Sequence, residues 1–287
     1  MTEAVQAQLV RTELVDGTLT VTLDSPHNAN ALSTTLLSQL DQALASAAAD
    51  AAVRVVVLTG AGKVFCSGAD LKEAKTSPSS GGSGPSGARG HPPASGVSPR
   101  ASTAAAPIMG RVVQGLWDSP KPVIARVNGA ARAGGLGLIA ACDIAIAAEH
   151  ASFAFSEVRI GVVPAVISVP CLRRMPSRAA AEYFLTGEIF HANRAVEIGL
   201  LTRSVAVEDL DAEVNRYTDM LRRGAPNALA ATKGVLRNGI TGSFADGLAA
   251  MSDLSARHFA SDEAGEGMAA FAAKRDPAWV ISPGAES

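Results

Sequence analysis

The sequence is nearly without net charge. Its 25 lysines and arginines stand against 27 aspartates and glutamates, a formal −2 over 287 residues. Basic residues are scattered among acids, so neither nucleic acid nor an anionic membrane surface is an expected partner. Cysteine is scarce too. Cys66, Cys142 and Cys171 have no metal-ligand spacing, and an odd count gives no complete disulfide framework. A reducing cytoplasm is the expected location, and no metal is expected. Met1-Thr2-Glu3-Ala4 lacks the basic-then-apolar order of a secretory signal. No uninterrupted apolar run approaches the roughly 20 residues of a membrane span. Core-forming residues, by contrast, are plentiful: 47% of the chain is hydrophobic and 18% charged, enough for one large domain or a domain with a small appendage.

One stretch, residues 76–103, is Ser, Gly, Pro and Ala with almost no large apolar side chain. It reads as a mobile loop, with His91 a solvated residue inside it, because it has too little apolar surface to offset its ordering entropy. Lying between two chemically interesting segments, it is a candidate for a site entrance.

Before that loop, Gln8–Leu14 and Leu19–Leu23 read as strands joined by an Asp16-Gly17 turn. Ser33 starts a helix to about Asp50, with Leu32, Leu36, Leu37, Leu40 and Leu44 as its apolar stripe. Val53–Thr59 is a β-branched run that fits a strand covered on both faces. After the loop come a helix over Pro107–Trp117, a buried strand over Pro122–Val127, a helix over Gly134–Cys142 and a strand over Asp143–Ala148. Helical patterns then run from Ala165 to about Lys274, broken at Pro176, Gly187, Gly199, Pro226 and Gly239. The first part alternates strand and helix; the last third is helical.

Two glycine turns stand out, Phe65-Cys66-Ser67-Gly68-Ala69-Asp70-Leu71-Lys72-Glu73 and Asn128-Gly129-Ala130-Ala131-Arg132-Ala133-Gly134-Gly135-Leu136-Gly137. Each follows a buried-strand candidate. Small residues there let backbone approach a ligand, and helix-opening N–H groups have no intrahelical partner. Two such donors converging on one point would hold an oxyanion formed on a carbonyl or thioester oxygen. Each turn alone also fits a tight strand-to-helix connection. Neither matches a phosphate-binding G-x-x-x-x-G-K-[ST] or a dinucleotide-binding G-x-G-x-x-G.

Taken together and in order, these segments resemble the crotonase (enoyl-CoA hydratase/isomerase) superfamily. The resemblance rests on Ser25-Pro26-His27-Asn28-Ala29-Asn30-Ala31-Leu32, Ser67-Gly68-Ala69-Asp70-Leu71-Lys72 and Lys121-Pro122-Val123-Ile124-Ala125. It continues through Asn128-Gly129, Ala141-Cys142-Asp143-Ile144-Ala145 and Phe153-Ala154-Phe155-Ser156-Glu157-Val158. It spans about Leu9 to Arg275, leaving out the low-complexity loop.

The resemblance implies an α/β fold of repeated ββα units forming a spiral core over residues 1–200. A helical trimerisation segment would follow over 201–287, in a homotrimer or homohexamer. It further implies acyl-CoA thioester substrates of fatty-acid and lipid metabolism, with coenzyme A as part of the substrate and no separate cofactor. By position, the N–H groups of Ala69 and Gly134 match the oxyanion hole. Ser67, Gly68, Asp70, Leu71 and Lys72 match the segment holding the adenine end of coenzyme A, and Gly135 and Gly137 line the same turn. Phe271 and Lys274 match positions that contact coenzyme A, often across a subunit interface; a core Phe and a solvated helix-end Lys are the alternatives.

The two-carboxylate hydratases of the family carry glutamates at two positions. Here one of these is Gly137 and the other Glu157. Held beside Phe153, Phe155, Val158, Ile160 and Val162, the Glu157 carboxyl is expected to have a raised pKa suited to proton transfer; a surface Glu pairing Arg159 is the alternative. Asp70 reads as a cap or turn residue and Asp143 as a structural strand-start residue. Cys66 and Ser67 have no activating His and read as packing residues.

One carboxylate can move a proton from C2 to C4 of a 3-enoyl thioester. It can also hydrate a 2-enoyl thioester if another group orients the water. The stretches Leu136–Asp143 and Glu157–Ser168 resemble the methylglutaconyl-CoA and branched enoyl-CoA hydratases, which puts hydratase ahead of isomerase. A non-catalytic subunit that binds CoA esters is the remaining alternative. Arg132, two residues before Gly134, would bind an acidic acyl tail or pair with an acid such as Asp143.

Overall fold

The computed structural model describes residues 7–73 and 99–281, with the backbone alone described over 99–104. Its chain direction is set at once by the Asp16-Gly17 turn. Both residues have positive φ, 47° and 76°, which a two-residue hairpin loop of matched twist requires. The turn joins β1 (Val10–Val15) to β2 (Thr18–Leu23) in antiparallel register from Val10↔Leu23 to Val15↔Thr18. Ser33 caps α1 (Thr34–Ala49), its hydroxyl accepting from Leu36 N–H at 3.2 Å. Leu36, Leu37, Leu40 and Leu44 are buried on that helix; Leu32 is buried just ahead of it.

The remaining strands and helices follow in chain order: β3 (Val55–Gly60), β4 (Val64–Cys66), α2 (Pro99–Asp118), β5 (Val123–Val127), β6 (Ala130–Arg132) and α3 (Gly134–Ala141). Next come β7 (Ile144–Ala148), β8 (Ser152–Ala154), a 3-10 turn over Ser156–Ile160, α4 (Ala165–Cys171), α5 (Ser177–Thr186), β9 (Phe190–His191) and α6 (Ala192–Glu197). Last are β10 (Arg203–Val205), α7 (Leu210–Arg223), α8 (Pro226–Asn238), α9 (Phe244–Phe259) and α10 (Asp262–Ala272). Strand–strand–helix is thus repeated along the chain. From β3 to β8 the first strand of each pair joins a six-stranded sheet of order β1-β2-β3-β5-β7-β10, which β10 completes. The second joins a four-stranded sheet of order β4-β6-β8-β9. Pairing is parallel except for β1 with β2 and β8 with β9. This is the ββα architecture that the resemblance implies.

Strand β3 is covered on both faces, as its unbroken β-branched run predicts. Val56 and Leu58 belong to the main core with α1 and α2, while Val55 and Val57 meet Ile124, Ile146 and Leu210 and Val214 of α7. Helix α3 is apolar all round and buried, as such a helix must be. The C-terminal residues return to the core, where Arg54, just ahead of β3, donates to the carbonyls of Gly224, at 2.8 Å, and Trp279.

The helix expected over Pro107–Trp117 begins earlier, at Pro99. Proline is tolerated at a first helical position, and the alanine-rich residues after it favour helix strongly enough to carry Pro107 inside. Residues 99–103 of the expected loop are therefore helical. Its remainder, with His91, lies outside the described residues. The short strands β9 and β10 interrupt a region expected to be helical throughout. The described residues contain no helix long and apolar enough to cross a membrane.

Candidate active site

Asn30 organises the first turn. Fully buried and left-handed at φ 55°, it donates from Nδ2 to the carbonyls of Val64 (2.8 Å), Ala61 (3.0 Å) and Phe65 (3.3 Å). Its Oδ1 accepts from Ser25 N–H at 2.9 Å. The segment 29–32 so fixed becomes a template for residues 67–70. Ser67 N–H donates to Ala29 O (3.0 Å), Leu32 N–H to Gly68 O (2.7 Å) and Asp70 N–H to Leu32 O (3.4 Å). This is a single parallel bridge between Leu32 and Ala69. In a parallel bridge the residues flanking Ala69 make the bonds, so its own N–H points away from Leu32. Among the described residues that N–H has no acceptor.

Beyond Ala69, Asp70 is a turn-forming cap: its Oδ1 accepts from Lys72 N–H (2.9 Å) and Glu73 N–H (3.2 Å), and its Oδ2 from Asn28 Nδ2 at 3.4 Å. Glu73 in turn accepts from Thr34 N–H at 2.9 Å, at the first residue of α1. Leu71 is exposed.

The second turn is set by Ala133, whose φ of 48° and ψ of −117° are strained for a residue with a Cβ. Its N–H donates to Ala154 O of β8 at 3.0 Å, and the chain then enters α3 at Gly134. The Gly134 N–H is the first of the helix and has no intrahelical partner. Glycine at 68 brings the two turns together. At φ 90°, a methyl there would lie 2.9 Å from Ala133 Cβ and 3.2 Å from Arg132 O. Gly134 likewise faces the first turn, where a methyl on it would fall 2.6 Å from Leu32 Cδ1. Gly135 packs on Cys66, whose thiol is buried and pushed up to about 12 by loss of solvation. Two unpartnered amides therefore flank the Gly68–Ala133 contact.

Glu157 lies in the 3-10 turn after β8. It is 9% exposed, and its Oε2 has no hydrogen-bond partner among the described residues. Burial raises its pKa above the ordinary carboxylate range; the N–H of Glu157 itself opposes this more weakly. An aromatic cluster seats the segment before it, with Phe155 tilted against Phe184 at 4.0 Å and Tyr183 against Phe190 at 4.2 Å. Arg159 does not pair with Glu157; its Nε donates to Thr186 O at 3.1 Å. The Cys171 thiol of α4 is raised first by burial and then by the Glu157 charge, and its Sγ lies 3.8 Å from Leu136 O of α3. Cys171 therefore ties α4 to the helix that Gly134 opens.

At Gly137, where the family resemblance places another glutamate, there is no space for a side chain. A methyl there would lie 2.5 Å from Cγ2, 2.9 Å from Cβ and 3.4 Å from Cα of Ile167. Glycine at this position lets α3 and α4 touch.

Arg132 does not pair with Asp143. Its Nη1 donates to Ser152 O (2.6 Å) and Ala131 O (2.8 Å), and its Nη2 to Ser152 Oγ (2.9 Å), tying β6 to β8. Asp143 accepts instead from Lys233 Nζ (2.6 Å), Arg237 Nη2 (2.7 Å) and Val123 N–H (2.7 Å), a structural role at the start of β7. Phe271 is 88% exposed, so the core-Phe alternative is overturned; Lys274 is exposed just past α10. Sequence reasoning missed Asn30 as a hub, Ala133 as the strained hinge and Ile167 as the neighbour of Gly137. Only Asn30 carried a signal, its place in a quoted motif.

Comparison with known proteins identifies the family. Residues 13–83 and 100–281 match the enoyl-CoA hydratase/isomerase family. The carnitinyl-CoA dehydratase of Salmonella arizonae is 34% identical over 269 residues, covering 91% of this chain and 94% of that protein. Among solved structures, an enoyl-CoA hydratase of Mycobacterium smegmatis superposes with a TM-score of 0.82 at 32% identity, covering 95% of this chain and 99% of that one. Pseudomonas aeruginosa AtuE superposes with a TM-score of 0.83 at 30% identity, covering 95% and 100%. The chain belongs to the enoyl-CoA hydratase/isomerase family, within the crotonase superfamily.

Proposed function

We propose that this chain is a hydratase-type lyase that adds water across the C2=C3 bond of a 2-enoyl-CoA thioester. The N–H groups of Ala69 and Gly134 hold the thioester oxygen. Their fixed dipoles stabilise the negative charge that reaches that oxygen when a nucleophile adds at C3. Glu157 takes a proton from water as its oxygen bonds to C3. The C2=C3 electrons move towards the thioester, and Glu157 returns the proton to C2. The single observation that carries this reading is the buried Glu157 carboxyl, its pKa raised by burial and its Oε2 without a hydrogen-bond partner among the described residues. A carboxyl with a raised pKa accepts and returns a proton near neutrality more readily than an exposed one. The same steps in reverse remove water from a 3-hydroxyacyl-CoA, the direction named for the Salmonella relative.

A second reading follows from Gly137. With no room there for another acid, a proton shuttle from C2 to C4 of a 3-enoyl-CoA needs only Glu157, which is the isomerase reaction. The test is loss of enoyl-thioester absorbance on mixing with short-chain and branched 2-enoyl-CoAs, with Glu157→Gln as control. Hydration abolished in the control supports the lyase. Conversion of 3-enoyl-CoAs alone makes the chain an isomerase. CoA-ester binding without either turnover makes it a non-catalytic subunit.

Ser67, Gly68, Asp70, Leu71 and Lys72 would bear on the coenzyme A end of the substrate. Exposed Phe271 and Lys274 suit contact with a substrate held by a neighbouring copy. Leu236, Ile240, Phe244, Leu248 and Phe259 are also exposed, apolar area that assembly through residues 201–287 would cover. A homotrimer or homohexamer in light scattering is the expected result, and a monomer would count against it. We place the protein in the cytoplasm, acting on substrates of fatty-acid metabolism. Arg132 is the cation nearest in sequence to Gly134; unchanged discrimination between acidic and simple enoyl-CoAs in Arg132→Ala would end its candidacy for an acidic acyl tail.

A further inference from the structure

We propose that Ile167, seated against Gly137, is a positioning residue that holds Glu157 in its working place. The inference rests on the reading of Glu157 as the proton-transfer group. Helices α3 and α4 approach so closely at this point that one added methyl would sit within 3 Å of both Cγ2 and Cβ of Ile167. Such a contact is set by shape and yields only by shifting a helix.

The position of α4 is passed to Glu157 through a short, bonded connection. Val162 N–H donates to Glu157 O at 3.0 Å, and Ala165 N–H donates to Val163 O at 2.7 Å as α4 begins. Gly161, left-handed at φ 75°, closes the turn between them. One helical turn beyond Ile167, Cys171 lies on the same face of α4. Its Sγ lies 3.8 Å from Leu136 O, a second tie between α4 and α3. On the other side, Arg159 bonds to Thr186 O at the end of α5. The turn that carries Glu157 is thus tied to α5 on one side and, through residues 162–165, to α4 on the other. Moving α4 away from α3 would pull Glu157 from its dry seat and admit water.

The test uses the full chain and three variants: Gly137→Ala, Ile167→Ala and the double variant. In Gly137→Ala the added methyl pushes α4. Turnover of a 2-enoyl-CoA is expected to fall about 10-fold or more in kcat with KM little changed, because the loss lies in proton transfer. The infrared band of the protonated Glu157 carboxyl, identified by its absence in Glu157→Gln, is expected to titrate closer to the ordinary carboxylate range. The double variant gives the methyl room and should recover most of kcat and the original midpoint, whereas Ile167→Ala alone should not exceed wild type.

Unchanged midpoint and kcat in Gly137→Ala, or a double variant no better than Gly137→Ala, would overturn the proposal. Should Gly137→Ala fail to fold, Ile167→Leu removes the Cγ2 methyl nearest Gly137; its midpoint must fall, and an unmoved one sinks the idea. A wild-type chain that turns over no enoyl-CoA would defeat the functional reading. The infrared titration would still decide the joint.

Discussion

Gly68 lies against Ala133: its backbone approaches so closely that a methyl on Gly68 would stand 2.9 Å from the Ala133 Cβ. That contact joins two turns from distant parts of the chain, and each turn carries an amide without an acceptor beside it. Gly68→Ala combines this collision with a φ of 90°, which disfavours any Cβ. The two turns must separate to accept it. The expected outcome is a loss of about 1–3 kcal/mol in stability by urea titration. A drop in kcat/KM of about 10-fold or more should accompany it as the two donors lose their common point. Wild-type kinetics in a folded Gly68→Ala protein would mean that the turns need not meet.

The buried Glu157 makes a prediction about pH. Its pKa is raised in the folded chain, so between the ordinary carboxylate value and the raised one the folded state binds more protons than the unfolded state. Stability conferred by the neutral form is therefore full at low pH and is lost as pH rises through the raised pKa. Glu157→Gln, permanently neutral, should raise the melting temperature at neutral pH and leave it unchanged in acid. The same substitution should lower kcat by about 10²–10⁴-fold. Wild-type kcat/KM should fall on the acid side at a pH above the usual carboxylate range. A limb at the ordinary value would contradict the desolvated site.

Asn30 offers a test of architecture apart from chemistry. Asn30→Ala removes a side chain that satisfies four backbone groups, and leaves the carbonyls of Ala61, Val64 and Phe65 and the N–H of Ser25 without it. A cost of about 2–4 kcal/mol is expected from denaturant titration, since unsatisfied buried groups cost more than the mean bond returns. Activity should fall with it, because residues 29–32 are the template for Ala69. A loss below about 0.5 kcal/mol would show that water replaces the amide.

How much of this site was legible in the sequence depends on whether a residue's role is local. The Asp16-Gly17 hairpin was legible because both residues tolerate positive φ. So were the turns around Ala69 and Gly134, which need small residues next to buried strands. Ala133 was not, since alanine carries no signal for φ 48°; that conformation is imposed by its bond to Ala154 and its contact with Gly68. Ile167 was read only as one apolar residue in a helical pattern, 30 positions from the glycine that it fills. The Asp143 alternative for Arg132 fails because Lys233 and Arg237, from a helix 90 residues further on, hold that acid, a competition no local pattern shows. Phe271, readable either as a substrate contact or as a core residue, is exposed because none of the described residues covers it.

The Asp143 cluster supplies a stability test remote from the acyl chemistry. Lys233 and Arg237 are both buried, and Asp143 is the acid they share. Desolvation outweighs that acid at Lys233, whose pKa is lowered to about 8. Asp143→Asn should therefore cost about 3–5 kcal/mol, because it leaves two buried cations without their counter-charge. The loss should be smaller above pH 8, where Lys233 sheds its proton, and so urea titrations at pH 7 and pH 9 separate charge from hydrogen bonding. Equal losses at both would assign the effect to Arg237 and the bond with Val123 N–H and take Lys233 out of it.

Ala133→Gly is expected to stabilise the protein while leaving turnover intact, an uncommon direction for a glycine substitution. Glycine ordinarily costs about 0.5–1 kcal/mol through the entropy of the unfolded chain. Against that, the φ 48°, ψ −117° conformation stores about 1–3 kcal/mol in a residue with a Cβ, and glycine releases it. The net gain should be about 1 kcal/mol, read as a higher midpoint in urea with unchanged slope. Orientation of the Gly134 amide should survive, because the N–H of residue 133 still donates to Ala154 O and α3 still begins at the same residue. Gly134→Ala is the counter-experiment: its methyl would strike Leu32 Cδ1 at 2.6 Å, so it should lose both stability and kcat. If Ala133→Gly instead lost activity at higher stability, the Cβ of Ala133 would be holding the Gly134 N–H in line, and the strain would belong to the catalytic geometry.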